Sequence, residues 1–507
     1  METDKITSSY RVGLGEAQTM VDVTLQNAEE ESIVKILSNC VNAYIDEIEM
    51  LNGEAHYMGG VVFDVLFLND KGATQMISET ADLDGKIQND RINPLMKPVW
   101  NVEVVNTKVY GVEGSSVKVS ATISIKLDAI QTDEVEQVKV NNESIMFSTE
   151  NTETNVVVAS GTKTFEISEE YETKLNVEQI LCTKAHVDIK DVDDGTGYFS
   201  IGGNLYVNSV LQTNQDEEHI LKNFMETISF NEELEDEQIQ KGDNIFAFAY
   251  VKPQDLLVEK RGEEDNQTVF VKATVTVKYI VQRMQPIEVC TDAFSMTNKT
   301  NILSGTFIKS KPQKLEKFTA NLDGQTMLND EESRIAKICA VTNEHILIAN
   351  SLITEGELNI EGVAYATIIY QTDDEIPSYA SIDLEIPFAQ KFDVENDFCG
   401  DLFVTGEILD VDTKVKRGKE INLMMEVCFW TYAYECDNQA IIKDIELAET
   451  LPKSEYSLEM YIAPKGSTLW DISKHLLVSE DIIKTQNPEL EFPLTNAQTI
   501  VYFKQKS

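Results

Sequence analysis

Three long stretches of the chain alternate apolar and polar residues with a period of two. In the first, Val117, Val119, Ala121, Ile123, Ile125 and Leu127 interleave with Lys118, Ser120, Thr122, Ser124 and Lys126. Successive side chains of a strand point to opposite faces, so this pattern predicts a strand with one face in a core and the other in water. The second stretch sets Val269, Val271, Ala273, Val275, Val277 and Tyr279 against Lys272, Thr274, Thr276 and Lys278. In the third, Ile421, Leu423, Met425, Val427 and Phe429 alternate with Asn422, Met424, Glu426, Cys428 and Trp430. Its second face also carries large apolar residues, which predicts that a neighbour covers it.

Each stretch lies downstream of a glycine followed three residues later by an aromatic: Gly60 with Phe63, Gly203 with Tyr206, and Gly362 with Tyr365. Cys40, Cys182 and Cys339 precede these glycines by 20, 21 and 23 residues, and His186 and His345 both precede theirs by 17. Recurrence of this kind predicts three copies of one unit. Many β-branched segments joined by Gly, Asn and Asp turns predict a mainly β chain of three tandem antiparallel sandwich-like or barrel-like units. The units are expected at 15–145, 160–298 and 314–447, after an N-terminal extension at 1–14. Linkers are expected at 151–160, 304–313 and 448–457, where apolar periodicity lapses.

From residue 458 to 507 the pattern changes to a small α+β unit. Tyr461 and Ile462 open a strand, Pro464-Lys465-Gly466 turns, and Thr468 caps a helix carrying Leu469, Trp470, Ile472 and Leu476. Ser479 caps a second helix, which Asn487-Pro488 stops, because the residue before proline disfavours the helical region. Ile500 and Tyr502 close with a strand, giving the order βααβ. Tyr461-Ile462, the run Gly466-Ser467-Thr468-Leu469-Trp470-Asp471-Ile472, Asn487-Pro488, and Leu494 with Gln498 and Ile500 resemble the pattern of a LysM module. Family analogy assigns partner binding to two facing loops, with Pro464, Gly466, Ser467, Thr468, Trp470, Asn487, Pro488 and Leu490 as the candidate residues. Ser467 stands where the family usually has Asp, and Asn496-Ala497 where a glycine is common. Both positions border the groove that holds N-acetylglucosamine polymers in glycan-binding members, and the departures count against glycan binding.

Acidic residues outnumber basic ones 87 to 42, a formal charge of -45. Such a chain repels phosphate backbones, which argues against nucleic acid as a partner. No run approaches the ~20 apolar residues needed to cross a bilayer, and residues 1–20 hold no apolar core of a secretory signal, so the expected location is the cytoplasm. Seven dispersed cysteines without a Cys-x-x-Cys pair predict reduced, mostly buried thiols and no zinc knuckle. Asp191-Val192-Asp193-Asp194-Gly195 lacks the full calcium-loop spacing and reads as a hairpin turn. The five histidines occur singly, Cys182 near His186 is better explained by shared packing than by catalysis, and no phosphate loop occurs. The chain is expected to be no enzyme and to need no cofactor or metal.

Three β units followed by a terminal LysM module in an acidic chain without a leader resemble the SipL-like family of clostridial spore coat morphogenetic proteins, whose repeats are called SPOCS domains. The resemblance implies a mother-cell protein at the forespore surface. It would bind the SpoIVA-type coat ATPase through the LysM module, meet other coat proteins, and help lay coat. The terminal module is near neutral at -1 and the remainder carries -44, a division that suits an adaptor. Two other readings stay open: a peptidoglycan-binding wall or cortex protein, and a wall hydrolase with a divergent catalytic domain.

Overall fold

The computed structural model describes the chain apart from residues 1, 30, 141–143, 216–217, 263–266, 330, 376–377, 395–399, 452–457 and 504–507. The fold is mainly β, and its strand pairs are antiparallel. Strands β1 (Thr3–Gln26), β2 (Ile33–Met50), β3 (Glu54–Asn69), β4 (Thr74–Gln88), β5 (Lys97–Glu113) and β6 (Ser116–Val138) make two sheets, ordered β1-β6-β5 and β2-β3-β4. Strands β7 (Ile145–Glu172), β8 (Val177–Asp194), β9 (Tyr198–Gln215), β10 (Glu218–Glu235), β11 (Asn244–Tyr250), β12 (Leu256–Arg261) and β13 (Thr268–Ser295) follow. They make a sheet β10-β9-β8 and a second in which β13 pairs with β7 on one edge and with β11 and β12 on the other. A 3-10 turn at Pro253–Asp255 separates β11 from β12. Strands β14 (Asn298–Met327), β15 (Ile335–Thr354), β16 (Glu357–Thr372), β17 (Tyr379–Asp393), β18 (Gly400–Lys416) and β19 (Glu420–Thr450) give β14-β19-β18 and β15-β16-β17.

The pairing order therefore recurs in three consecutive strand groups. The three alternating stretches become β6, β13 and β19, each flanked on both edges within its sheet. In each, the apolar set is buried between the two sheets of its group, around Ile123 and Phe63, around Val275 and Leu205, and around Met425 and Ile368. The second face of β19 is covered only from Cys428 onward, where Cys428, Tyr432 and Tyr434 are buried; Met424 and Glu426 on the same face are exposed. The Asp191–Gly195 segment ends β8 and turns into β9, with Gly195 N donating to Tyr198 O.

Register corrects one anchor. Gly59, Gly203 and Gly362 face Ile45, Ile189 and Ile348, each beside a β-bulge. A Cβ there would meet the carbonyl oxygens of Tyr44, Asp188 and Leu347 at 2.0, 2.3 and 2.2 Å. Only glycine admits so close a backbone approach. The equivalent residue in the first group is thus Gly59, not Gly60, and Phe63 points into the core where Tyr206 and Tyr365 do not. His186 and His345 pair across the ladder with those tyrosines and stack on them at 4.7 and 4.6 Å between ring centroids.

The expected extension and linkers are strand instead. From Thr3 onward residues 1–14 belong to β1, 151–160 lies inside β7 and 304–313 inside β14; of 448–457, Ala448 to Thr450 end β19 and 452–457 lie outside the described residues. These strand ends pair with the far ends of β6, β13 and β19. The resulting ribbons meet through Val138, Ile145, Cys290, Ala293, Ile442 and Ile445, forming a stem below the three cores. Apolar periodicity lapses here because polar side chains are buried between groups. Asn155 Nδ2 donates to Ser9 O at 3.0 Å, Val157 N donates to Ser9 Oγ at 2.9 Å, and Ser310 Oγ also donates to Ser9 O. Buried polar groups with partners cost little, so a strand can be polar and still interior.

The three groups also meet above the stem, where Leu37, Leu66, Leu181, Val210, Cys339 and Ile369 share one cluster. Cys40 packs against it, and its Sγ lies 3.3 Å from Ser38 Oγ. Cys182, Cys290, Cys339 and Cys428 are buried, Cys40 is half-buried and Cys436 is exposed, all as free thiols; Cys399 lies outside the described residues. Among the described residues no helix is long and apolar enough to cross a membrane.

Candidate functional site

The terminal segment folds as β20 (Leu458–Ala463), α1 (Leu469–Leu476), α2 (Glu480–Gln486) and β21 (Gln498–Phe503), with β20 paired to β21. Thr468 starts α1 through a capping box: its Oγ1 accepts from Asp471 N at 3.1 Å, and Thr468 N donates to Asp471 Oδ2 at 3.0 Å. Leu477 ends the helix in the left-handed region. Ser479 occupies the N-cap position of α2 without the side-chain hydrogen bond its identity suggested. Ala463, Leu469, Ile472, Leu476, Ile483 and Ile500 are among the residues that fill the core.

The candidate loop residues fall into three environments. Pro464, Gly466, Thr468 and Pro488 are exposed, and Ser467 and Leu490 are half-buried. Gly466 N donates to Leu494 O at 2.8 Å and Leu494 N donates to Ser467 O at 3.0 Å, which ties the first loop to the approach to β21. Asn487 is buried: its Nδ2 donates to Ile483 O at 2.9 Å and Val501 O at 2.8 Å, and its Oδ1 accepts from Val501 N at 2.9 Å. Its side chain is a staple between α2 and β21 rather than a contact surface.

Trp470 is neither module core nor free anchor. Its indole Nε1 donates to Asp292 Oδ2 at 2.8 Å, and its ring lies 5.2 Å from that of buried Phe294, both near the end of β13. Lys474 adds hydrogen bonds to the same carboxylate at 2.6 and 2.7 Å. Burial of Asp292 acts to raise its pKa, but the bonds from Lys474 and Trp470 prevail and hold it below the ordinary aspartate value. These contacts seat the module on the stem end of the body.

A feature the sequence reading missed is the outer face of the hairpin. Leu458, Met460, Ile462 and Phe503 are 50%, 71%, 72% and 50% exposed. Tyr461 and Ala463 pack inward, so both faces of β20 are apolar, and only one has a core behind it. The signal was present in the spacing of Leu458, Met460 and Ile462, but a strand read as closing a small core masks its other side.

A second candidate site lies between the strand groups, a cavity of about 360 Å³. Its wall includes Trp100 on β5, Lys184 on β8, Phe246 and Phe248 on β11, Glu407 on β18 and Trp430 on β19. Register puts Glu407 opposite Cys428, on the face of β18 turned away from its own core. Lys184 Nζ donates to Glu344 O at 2.6 Å. Among the described residues neither Lys184 nor Glu407 has an ion-pair partner. Loss of hydration raises the Glu407 carboxyl above its ordinary pKa, and nearby Lys184 only partly offsets this. Burial lowers His345, which also lines the cavity, to about 4 and His186 to about 3, so both imidazoles are neutral near pH 7. Among the described residues no group of His, Cys, Asp and Glu is arranged to hold a metal ion. No family model matches the chain, and no curated protein or solved structure is significantly similar to it.

Proposed function

We propose that the protein is a non-enzymatic assembly adaptor of the SipL-like kind. Three SPOCS-like repeats form an acidic body, and the terminal segment is a LysM module that docks on a SpoIVA-type coat ATPase at the forespore surface, in the mother-cell cytoplasm. The observation that carries this reading is the uncovered face of Leu458, Met460, Ile462 and Phe503 on an otherwise well-packed module. Contiguous exposed apolar side chains rimmed by polar residues mark protein-interaction surfaces. A module at -1 approaches a polypeptide with little long-range repulsion, while a body at -44 resists indiscriminate association. The loop residues Pro464, Gly466, Thr468 and Pro488 are exposed as well.

The test is co-purification with the coat ATPase. The full chain should retain it, a chain lacking residues 458–507 should not, and Met460→Glu/Ile462→Glu should release it while the module stays folded by circular dichroism. Retention by the truncated chain would falsify the docking role. Saturable capture of chitin oligomers by the full chain, with the ATPase ignored, would replace it with glycan binding.

A further inference from the structure

We infer that the cavity between the three strand groups is a binding site for a free α-amino acid with a large apolar side chain. Its volume, about 360 Å³, lies in the range of small-molecule sites. It is bounded by residues of all three groups, so it exists only where they close together. Aromatic side chains from each group wall it: Trp100 from the first, Phe246, Phe248 and Tyr250 from the second, Phe403 and Trp430 from the third.

The charges make the wall selective. Lys184 presents an ammonium that donates to the Glu344 carbonyl oxygen, a neutral acceptor. Glu407 presents a carboxylate, and the two share the cavity without pairing with each other. Lys184 is half-buried and the Glu407 side chain is exposed at the cavity wall, and among the described residues neither has an ion-pair partner, so both charges are accessible to a ligand there. One molecule bearing both an ammonium and a carboxylate completes both, its carboxylate on Lys184 and its ammonium on Glu407. A large apolar side chain then has the aromatic wall to pack against. Lys252, also on the wall, reaches out to partly exposed Asp46, which marks the side that opens to solvent.

The experiment is calorimetric titration of the full chain with three probes: L-phenylalanine, 3-phenylpropionate, which lacks the ammonium, and phenethylamine, which lacks the carboxylate. L-Phenylalanine should bind saturably and each truncated probe at least tenfold more weakly, since a hydrogen bond to a charged group is worth roughly that or more. Glu407→Gln should weaken L-phenylalanine by roughly tenfold and leave 3-phenylpropionate unchanged, and Lys184→Met should do the converse with phenethylamine. If either variant fails to fold, the three-probe series on the unaltered chain still decides. Equal affinity for the three probes, or no heat with L-phenylalanine up to solubility, would overturn the inference.

Discussion

Asp292→Ala tests how the terminal module is held. The substitution removes an indole hydrogen bond to a carboxylate, worth about 1.5–3 kcal/mol. It also removes a partly exposed Lys474 pair worth about 0–1 kcal/mol. The contact of Trp470 with Phe294, about 0.5–1.5 kcal/mol, remains. A net loss of about 2–3 kcal/mol lowers the docking equilibrium roughly 30- to 150-fold, at 1.4 kcal/mol per factor of ten. In a chain carrying Trp100→Phe and Trp430→Phe, Trp470 is the sole indole, and its emission and acrylamide quenching report seating directly. Asp292→Ala should shift emission to the red and raise quenching toward that of free indole, and Asp292→Asn should fall between. Because the folded Asp292 pKa is depressed, its contribution is complete above the unfolded value near 3.9 and disappears as pH falls through the folded value. Unchanged emission and quenching in Asp292→Ala would refute the seating.

Other consequences are equally accessible. Gly362→Ala places a methyl 2.2 Å from Leu347 O, a backbone atom, so the bulge must move; a loss of at least about 2 kcal/mol should appear as a lower denaturant midpoint. The same change at Gly53, where a Cβ meets nothing but φ is +82, should act through backbone strain alone, at about 1–2 kcal/mol. Tyr434→Phe removes the hydroxyl that accepts from Gln282 Nε2 and, at 3.0 Å, from Tyr432, leaving the buried Gln282 amide without that acceptor and Tyr432 with only its 3.4 Å bond to Gln282 Oε1, at about 1–3 kcal/mol. With His345 lowered to about 4, the unfolded chain binds a proton there below about 6.5 while the folded chain does not. Stability of the wild type relative to His345→Gln should be flat above neutrality and fall by up to about 1.4 kcal/mol per unit from pH 6.5 toward 4; a flat difference throughout would count against a buried neutral imidazole.

What the sequence revealed followed from where side chains bury. Val117 to Leu127, Val269 to Tyr279 and Ile421 to Phe429 alternate because each strand has one core face, and each proved to be the middle strand of its sheet. Capping by Thr468 was legible because the box needs only local chemistry. The stem was not, since Ser9, Asn155 and Ser310 are interior yet polar, and their partners lie more than a hundred residues away. Gly60 drew attention from Gly59 because adjacent glycines are equivalent in composition, and only register shows which one faces a carbonyl. The cavity depends on Trp100, Lys184 and Glu407 meeting from separate groups, which no local spacing encodes.

The ribbons of the stem have a mechanical consequence. β19 runs unbroken from the third core to Thr450, paired along its length with β14, and the terminal module follows it in sequence. Tension applied at the module against an anchored body would act along the strand axis, so the ladder would be loaded in shear and many bonds would have to rupture together. The Asp292 contacts, short and lateral, would yield first, and the module would then hang from a tether that holds fast.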